Sequence, residues 1–386
     1  DAAFANGTFA HSLDFDDTHL GSSLHPAAPT IAAALAAAEA ANASVERFYA
    51  AIAAGYDVAC TVGELVGPNA HYARGFHITA TCGTFGAVAA AGVASGLAEA
   101  ELRDAFGIAG SQAAGSIQFL ENGAWNKRLH PGLAARRGIE ATTLAAAGVV
   151  GAEAPIDGEY GFLAGYTPDP DHEAIDRLET RDAVSETGLK PYPCCRYLHA
   201  AIDGLRELAP VVETSAVSAV QIAIPSPGVR LTGDPIEAKR RPQSFVDCQF
   251  SAPFVAALTL ETGTADAATF LRAVGQAGDP PRWGTTPTRR LMDATSVTTD
   301  ETIERRFPDE WGARVSVQAD GETHSATVRV PSGEPEAPLA DDEVRKKTTG
   351  LLRDTGVDPD QLAETILERD PQSVATIVDA ATSCGR

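Results

Sequence analysis

The sequence predicts a mainly α-helical protein. A large all-helical domain spans residues 1–185, a smaller α+β domain spans 186–335, and C-terminal helices over 336–386 pack back on the helical domain. Alanine-rich apolar stretches broken by Gly, Pro and Asn fill the first half. Alternation of apolar and polar residues begins only after about residue 186, and helical periodicity returns beyond 341.

Segments 29–42, 45–60, 80–97, 101–114 and 139–151 read as helices, with breaks at Gly67-Pro68-Asn69, Gly123, Pro131-Gly132 and Pro155. The uncharged run from Ile78 to Ala98 is mostly Ala, Gly, Thr and Ser. That composition suits a buried helix in a tight bundle better than a membrane span. Residues 166–172, with Pro168 and Pro170, read as an exposed loop. Val220, Ile222 and Ile224 alternate as in a strand, and two alternating runs within 313–330 meet at Asp320-Gly321, a hairpin signal. Helix-like pieces lie at 197–208, 251–261 and 287–293. Pro331 to Pro338 reads as a linker, and Pro371 divides the helical stretch 341–379.

The 386 residues carry 52 acids against 30 Lys plus Arg, a formal net charge of 30 − 52 = −22. That sign argues against nucleic acid and anionic membrane surfaces as partners. Only Lys127, Lys190, Lys239, Lys346 and Lys347 are lysines. Scarce lysine and excess acid suggest a salt-loving organism, where a Debye length of ~3 Å at molar salt screens acidic repulsion. Cys60, Cys82, Cys194, Cys195, Cys248 and Cys384 form no C-x-x-C pair and read as reduced cytoplasmic thiols.

Four segments concentrate chemistry. His11-Ser-Leu-Asp14-Phe-Asp16-Asp17-Thr-His19, followed by His25, gathers carboxylates and imidazoles; on a helix, His11, Asp14 and Asp17 would share a face. Helix-end capping by salt-adapted acids, a metal site and an acid/base site all fit this segment. Gly75-Phe76-His77-Ile-Thr79-Ala-Thr81 precedes the small-residue helix, with Thr79 or Thr81 as its expected N-cap. Lys127, Arg128, His130, Arg136 and Arg137 cluster in an otherwise acidic chain. Lys190-Pro-Tyr192-Pro-Cys-Cys-Arg196-Tyr-Leu-His199 puts Arg196 and His199 one helical turn apart. Solvated surface cations are the plain alternative for the last two segments.

Together these segments resemble the MmgE/PrpD family, which includes 2-methylcitrate dehydratase, cis-aconitate decarboxylase and iminodisuccinate epimerase. The resemblance rests on Asn6-Gly7…His11-Ser-Leu-Asp14-Phe-Asp16-Asp17…His25-Pro26 and Gly75-Phe76-His77-x-Thr79. It extends to Lys127-x-Leu129-His130-x-Gly132, Lys190-x-Tyr192-Pro193-x-Cys195-Arg196 and Asp247-Cys-Gln-Phe250-Ser251-x-Pro253-Phe254. It implies a helical domain, an α+β lid, a cleft between them, a homodimer, and neither metal nor organic cofactor. Motif by motif, it carries catalytic roles to Asp14, His25, His77, Lys127 and Lys190. Thr79, His130, Tyr192, Arg196 and Phe254 are the expected substrate-contacting positions. Phe254 stands where the decarboxylase branch has tyrosine, which counts against decarboxylation; a 2-methylcitrate dehydratase-like hydro-lyase is expected first as the family's broad label, with iminodisuccinate-like epimerisation or cis-aconitate-like decarboxylation as alternatives.

The implied reaction is proton transfer at carbon next to a carboxylate of a small di- or tricarboxylate. Lys127, Lys190 and Arg196 suit the developing dianion, and His25 and His77 suit general acid/base work. Asp14 would orient His25 or act as the base. Two other readings compete: a metal-dependent hydrolase built on Asp14, Asp16, Asp17, His19 and His25, and a non-catalytic helical interaction protein.

Overall fold

The Ile78–Ser95 helix explains the architecture of the first half, because it has almost no bulk to keep neighbours away. A computed structural model describes residues 1–274, 286–353, 355–367 and 373–382. Pro371 and Cys384 lie outside the described residues. The chain forms two compact units. One comprises Asp1–Ser12, Asp16–Thr187 and Asp341–Arg386; the other comprises Leu13–Phe15 and Gly188–Ala340.

The first unit is helical. It contains α1 (Ala2–His11), α2 (Ala27–Ala41), α3 (Val45–Leu65), α4 (Pro68–Ala73), α5 (Ile78–Ser95), α6 (Glu99–Gly110) and α7 (Asn126–Ala146). A short extended stretch, β1, covers Asp17–His19. α5 packs against α2, α3, α6 and α7. Among the described residues it is the one helix long and apolar enough to cross a membrane, and 89% of that span is buried inside the fold. It is a core helix, as its small residues indicate. A side chain on Gly86 would come within 2.6 Å of Ala59 Cβ, so α3 and α5 touch at backbone distance. α1 and α7 meet in the same way: a Cβ on Gly7 would lie 2.9 Å from Gly132 Cα. Val374 and Ile377, from the Val374–Thr382 helix, join the alanine core beside α2, and Tyr49 donates to the Ile366 carbonyl at 2.9 Å.

Pro131 does not break a helix; it sits inside α7. It lies in the second turn, and its missing N–H forgoes only the bond to the Lys127 carbonyl. Neither Thr79 nor Thr81 caps α5. The N-cap is His77, and Thr81 Oγ1 lies 2.9 Å from His71 Nε2. α1 ends at His11, so His11, Asp14 and Asp17 are not on one helix face. Asp14 takes a left-handed backbone, φ +50°, and Asp17 is extended.

The second unit opens in β2 (Thr187–Leu189), which begins at the boundary, and builds a four-stranded sheet. Its strands are β3 (Val217–Ala223), β4 (Thr295–Thr298), β5 (Ala313–Ala319) and β6 (Glu322–Val328), in the order β4-β3-β5-β6. β3 pairs parallel to β4, with Val220 opposite Thr295, and antiparallel to β5, with Val220 opposite Val317. The β5–β6 hairpin turns at Asp320 and Gly321, whose φ of +53° and +79° match the left-handed pair that tight hairpins demand. Ala313, Val315, Val317 and Ala319 are buried, and helix His199–Leu208 covers β5 and β6. The fold is thus a mainly α-helical part followed by a smaller mixed α/β part. The 331–338 stretch is not a solvated linker: Glu334 within it is buried and ion-paired.

Candidate active site

In the first unit, four imidazoles and one ammonium converge. His11 ends α1, His77 caps α5, and Lys127 and His130 lie on the first turns of α7. All are buried, as is His25, just before α2. The ring centres of His11 and His25 are 4.9 Å apart, those of His11 and His77 6.4 Å, and those of His77 and His130 5.0 Å. The Gly7–Gly132 approach holds α1 against α7, and that contact brings His11 to Lys127.

Hydrogen bonds fix the proton positions. Lys127 Nζ is 3.0 Å from His11 Nε2, and His11 Nδ1 is 2.6 Å from Asp16 Oδ2. An ammonium only donates and a carboxylate only accepts, so a neutral His11 links the two opposite charges. His25 Nδ1 is 2.6 Å from the Asp17 carbonyl. A carbonyl cannot donate, so Nδ1 carries a hydrogen and Nε2 is the ring nitrogen left for proton exchange. The His25 N–H donates to Thr79 Oγ1 at 3.2 Å, so Thr79 supports the backbone beside this ring.

His77 Nδ1 and His130 Nδ1 are 2.9 Å apart. Burial, then His130, Lys127, His11 and His25, hold His77 well below the usual imidazole range. Burial chiefly, with His11, Lys127 and Arg137, pushes His130 down to about 4. Both rings are therefore neutral at pH 7, and a single hydrogen lies between the two Nδ1 atoms. His77 Nε2 is buried with no hydrogen-bond partner. An orphaned ring nitrogen beside an ammonium is suited to a ligand that brings both an anionic oxygen and an exchangeable proton.

In the second unit, Lys190 Nζ is 2.7 Å from Asp14 Oδ1. Gln249 Nε2 ties the Leu13 carbonyl at 2.6 Å to the Pro193 carbonyl at 3.1 Å, which fixes the Asp14 segment to the Lys190 loop. The other positions of this unit are committed within it. Tyr192 donates to Asp203 at 2.6 Å and accepts from Arg206 at 2.7 Å. Arg196 Nε donates to Glu334 Oε1 at 2.6 Å and its NH1 to His199 Nδ1 at 2.8 Å. Arg196 is thus bound by a buried carboxylate. Phe254 packs edge-on against Phe270, with centroids 5.5 Å apart.

Two of the five residues of the metal reading, Asp17 and His19, are committed to other partners. Asp17 takes the Ala27 N–H at 3.1 and 3.2 Å and the Tyr56 hydroxyl at 2.7 Å; burial, then Asp16, raises its carboxyl to about 7. His19 lies 2.9 Å from the Arg181 guanidinium, in a network with Glu64 and Glu186. A resident cation at His19 would face that guanidinium.

His11 and Asp16 were visible as part of a polar cluster, but nothing in their spacing pairs them with Lys127, which follows His11 by 116 residues. Glu334 carries no local signal at all.

The model of the MmgE/PrpD N-terminal domain matches residues 1–175, and that of the MmgE/PrpD C-terminal domain matches residues 192–371. The chain belongs to the MmgE/PrpD family and is an MmgE/PrpD-type enzyme. Among its relatives is the cis-aconitate decarboxylase-like protein oryM of Aspergillus oryzae, 26% identical over 98% of this chain and 80% of that protein. Human cis-aconitate decarboxylase is 37% identical over 43% of this chain and 34% of its own length. The mouse cis-aconitate decarboxylase is 31% identical over 58% and 46% respectively. The chain thus aligns with less than half of these two mammalian proteins.

Proposed function

We propose that this chain is a lyase that moves a proton to or from carbon next to a carboxylate of a small di- or tricarboxylate. The observation that carries the reading is the buried His77 Nε2 without a partner, in a cluster with the Lys127 ammonium. Lys127 binds a substrate carboxylate and stabilises the charge that spreads into it. His77 and His25 exchange the proton, each through Nε2. Asp14 and Lys190 are assigned to the same reaction by the motif positions they occupy.

Decarboxylation of a cis-aconitate-like acid is placed first, because the relatives carry that name. In that reaction the bond from carbon to a carboxylate breaks, CO2 leaves, the electron pair delocalises into a neighbouring carboxylate, and an imidazole protonates carbon. Dehydration of a 2-methylcitrate-like acid is the second reading. Phe254, which lacks the hydroxyl of the decarboxylase branch, weighs against the first reading and keeps this one open. A homodimer in a salt-rich cytoplasm belongs to the same proposal; the acidic surplus and five buried free thiols support its setting.

The test is incubation in high salt with cis-aconitate, 2-methylcitrate and iminodisuccinate, each followed by NMR. Loss of CO2, loss of water and inversion of configuration give different products. Turnover of none of the three removes the proposal.

A further inference from the structure

We propose that His77 and His130 form a two-ring proton relay, with His130 as the positioning residue that sets whether His77 Nε2 accepts or donates a proton. The inference rests on the proton-transfer function proposed above, and it explains how a buried imidazole could perform it.

The 2.9 Å Nδ1–Nδ1 contact allows two neutral arrangements. In one, His77 Nδ1–H donates to His130 Nδ1; His77 Nε2 then bears a lone pair and His130 Nε2 a hydrogen. In the other, His130 Nδ1–H donates to His77 Nδ1; His77 Nε2 then bears the hydrogen and His130 Nε2 the lone pair. Each arrangement makes His77 competent for one direction of transfer.

Interconversion balances without leaving a charge on either ring. When His77 Nε2 takes a proton from carbon, the C–H electron pair stays on the substrate and an Nε2–H bond forms. The Nδ1–H bond of His77 breaks as one forms on His130, and His130 Nε2 releases its proton to water. Running backwards, the same sequence delivers a proton to carbon. Charge neutrality matters because the surroundings oppose an imidazolium. Burial and the Lys127 ammonium oppose a charge on His77, and burial, Lys127 and Arg137 oppose one on His130. A lone buried histidine in that field would be a poor proton acceptor; a relay hands the charge onward as fast as it arrives.

Both rings are buried, His130 slightly less completely than His77, at 5% against 2% exposure. Gly115 accepts the His77 N–H at 2.9 Å and presents no side chain beside His130, where a Cβ would stand 3.6 Å from Nε2. Phe119 meets both rings edge-on, with centroids 6.1 and 5.9 Å away, and holds them in register.

The experiment uses the full chain with 15N-labelled histidine, and cis-aconitate, 2-methylcitrate and iminodisuccinate as probes. A scalar coupling through the shared hydrogen should join Nδ1 of His77 to Nδ1 of His130, with both rings neutral at pH 7. His130→Asn keeps a hydrogen-bonding partner for His77 Nδ1 but cannot pass a proton on. It should lose at least about tenfold in kcat while KM stays within about twofold, with partial rescue by added imidazole. Absence of the coupling in the wild-type protein overturns the relay, and so does wild-type kcat in His130→Asn. If the wild-type protein transforms none of the three acids, the substrate reading falls, and the coupling alone still decides the dyad.

Discussion

Lys190, fully enclosed, places its Nζ 2.7 Å from Oδ1 of Asp14 and 3.2 Å from the carbonyl oxygen of the same residue. A buried ion pair of this kind costs most when one member is removed, because the other charge is stranded. Lys190→Met should therefore destabilise the protein by about 3–5 kcal/mol in denaturant unfolding. The double variant with Asp14→Asn should cost less than the two single losses added together. Additive losses would mean that the two groups are energetically independent.

Lys127→Ala and His25→Ala should each lower kcat/KM by at least about 10²-fold on whichever acid is turned over. Far-UV circular dichroism and cooperative unfolding should be retained. Wild-type turnover in both variants would remove the assigned roles.

Acid should unfold the helical unit partly through His71. This ring is buried, with Nε2 2.9 Å from Thr81 Oγ1 and Nδ1 3.2 Å from the Tyr166 carbonyl; burial chiefly pushes it down to about 4. The unfolded chain binds this proton below about pH 6.5 and the folded chain only near 4, so stability is complete above 6.5 and is lost as pH falls through that window. The full loss is on the order of 3 kcal/mol. His71→Phe should lower Tm at pH 7 but flatten its decline between pH 6.5 and 4. An unchanged slope in scanning calorimetry would refute this.

Arg196 and Glu334 should behave as a structural pair. Arg196→Ala and Glu334→Ala should each cost about 3–5 kcal/mol, with strong non-additivity in the double variant. The test is a double-mutant cycle read by urea unfolding. A loss confined to KM, with stability intact, would instead make Arg196 a substrate ligand.

Much of this architecture is legible in the residues. The β5–β6 hairpin follows from alternation around Asp320-Gly321, and the buried α5 from a run of small uncharged residues. Pro131 misleads because its cost depends on position within the helix: in the second turn it forgoes one bond and is tolerated. The His11–Asp17 segment misleads for a different reason. Helical spacing is a local rule, whereas Gln249 on the Leu13 carbonyl and Lys190 on Asp14 act from residues far along the chain and favour a left-handed turn there. The same holds for the site. His77, Lys127 and His130 are recognisable from their motifs, but the pairing of one Nδ1 with another is a distance, and no spacing encodes it.

The bare crossing of α1 and α7 at Gly7 and Gly132 has its own consequence. Two helices in contact through their main chains have no pliable padding between them, so the ring of His11 and the amine of Lys127 inherit the tolerance of rigid rods. Enlarging either glycine by one methyl group would not be absorbed as a local adjustment. It would appear as a misalignment of the reactive groups one turn away, and chemistry would suffer before folding does.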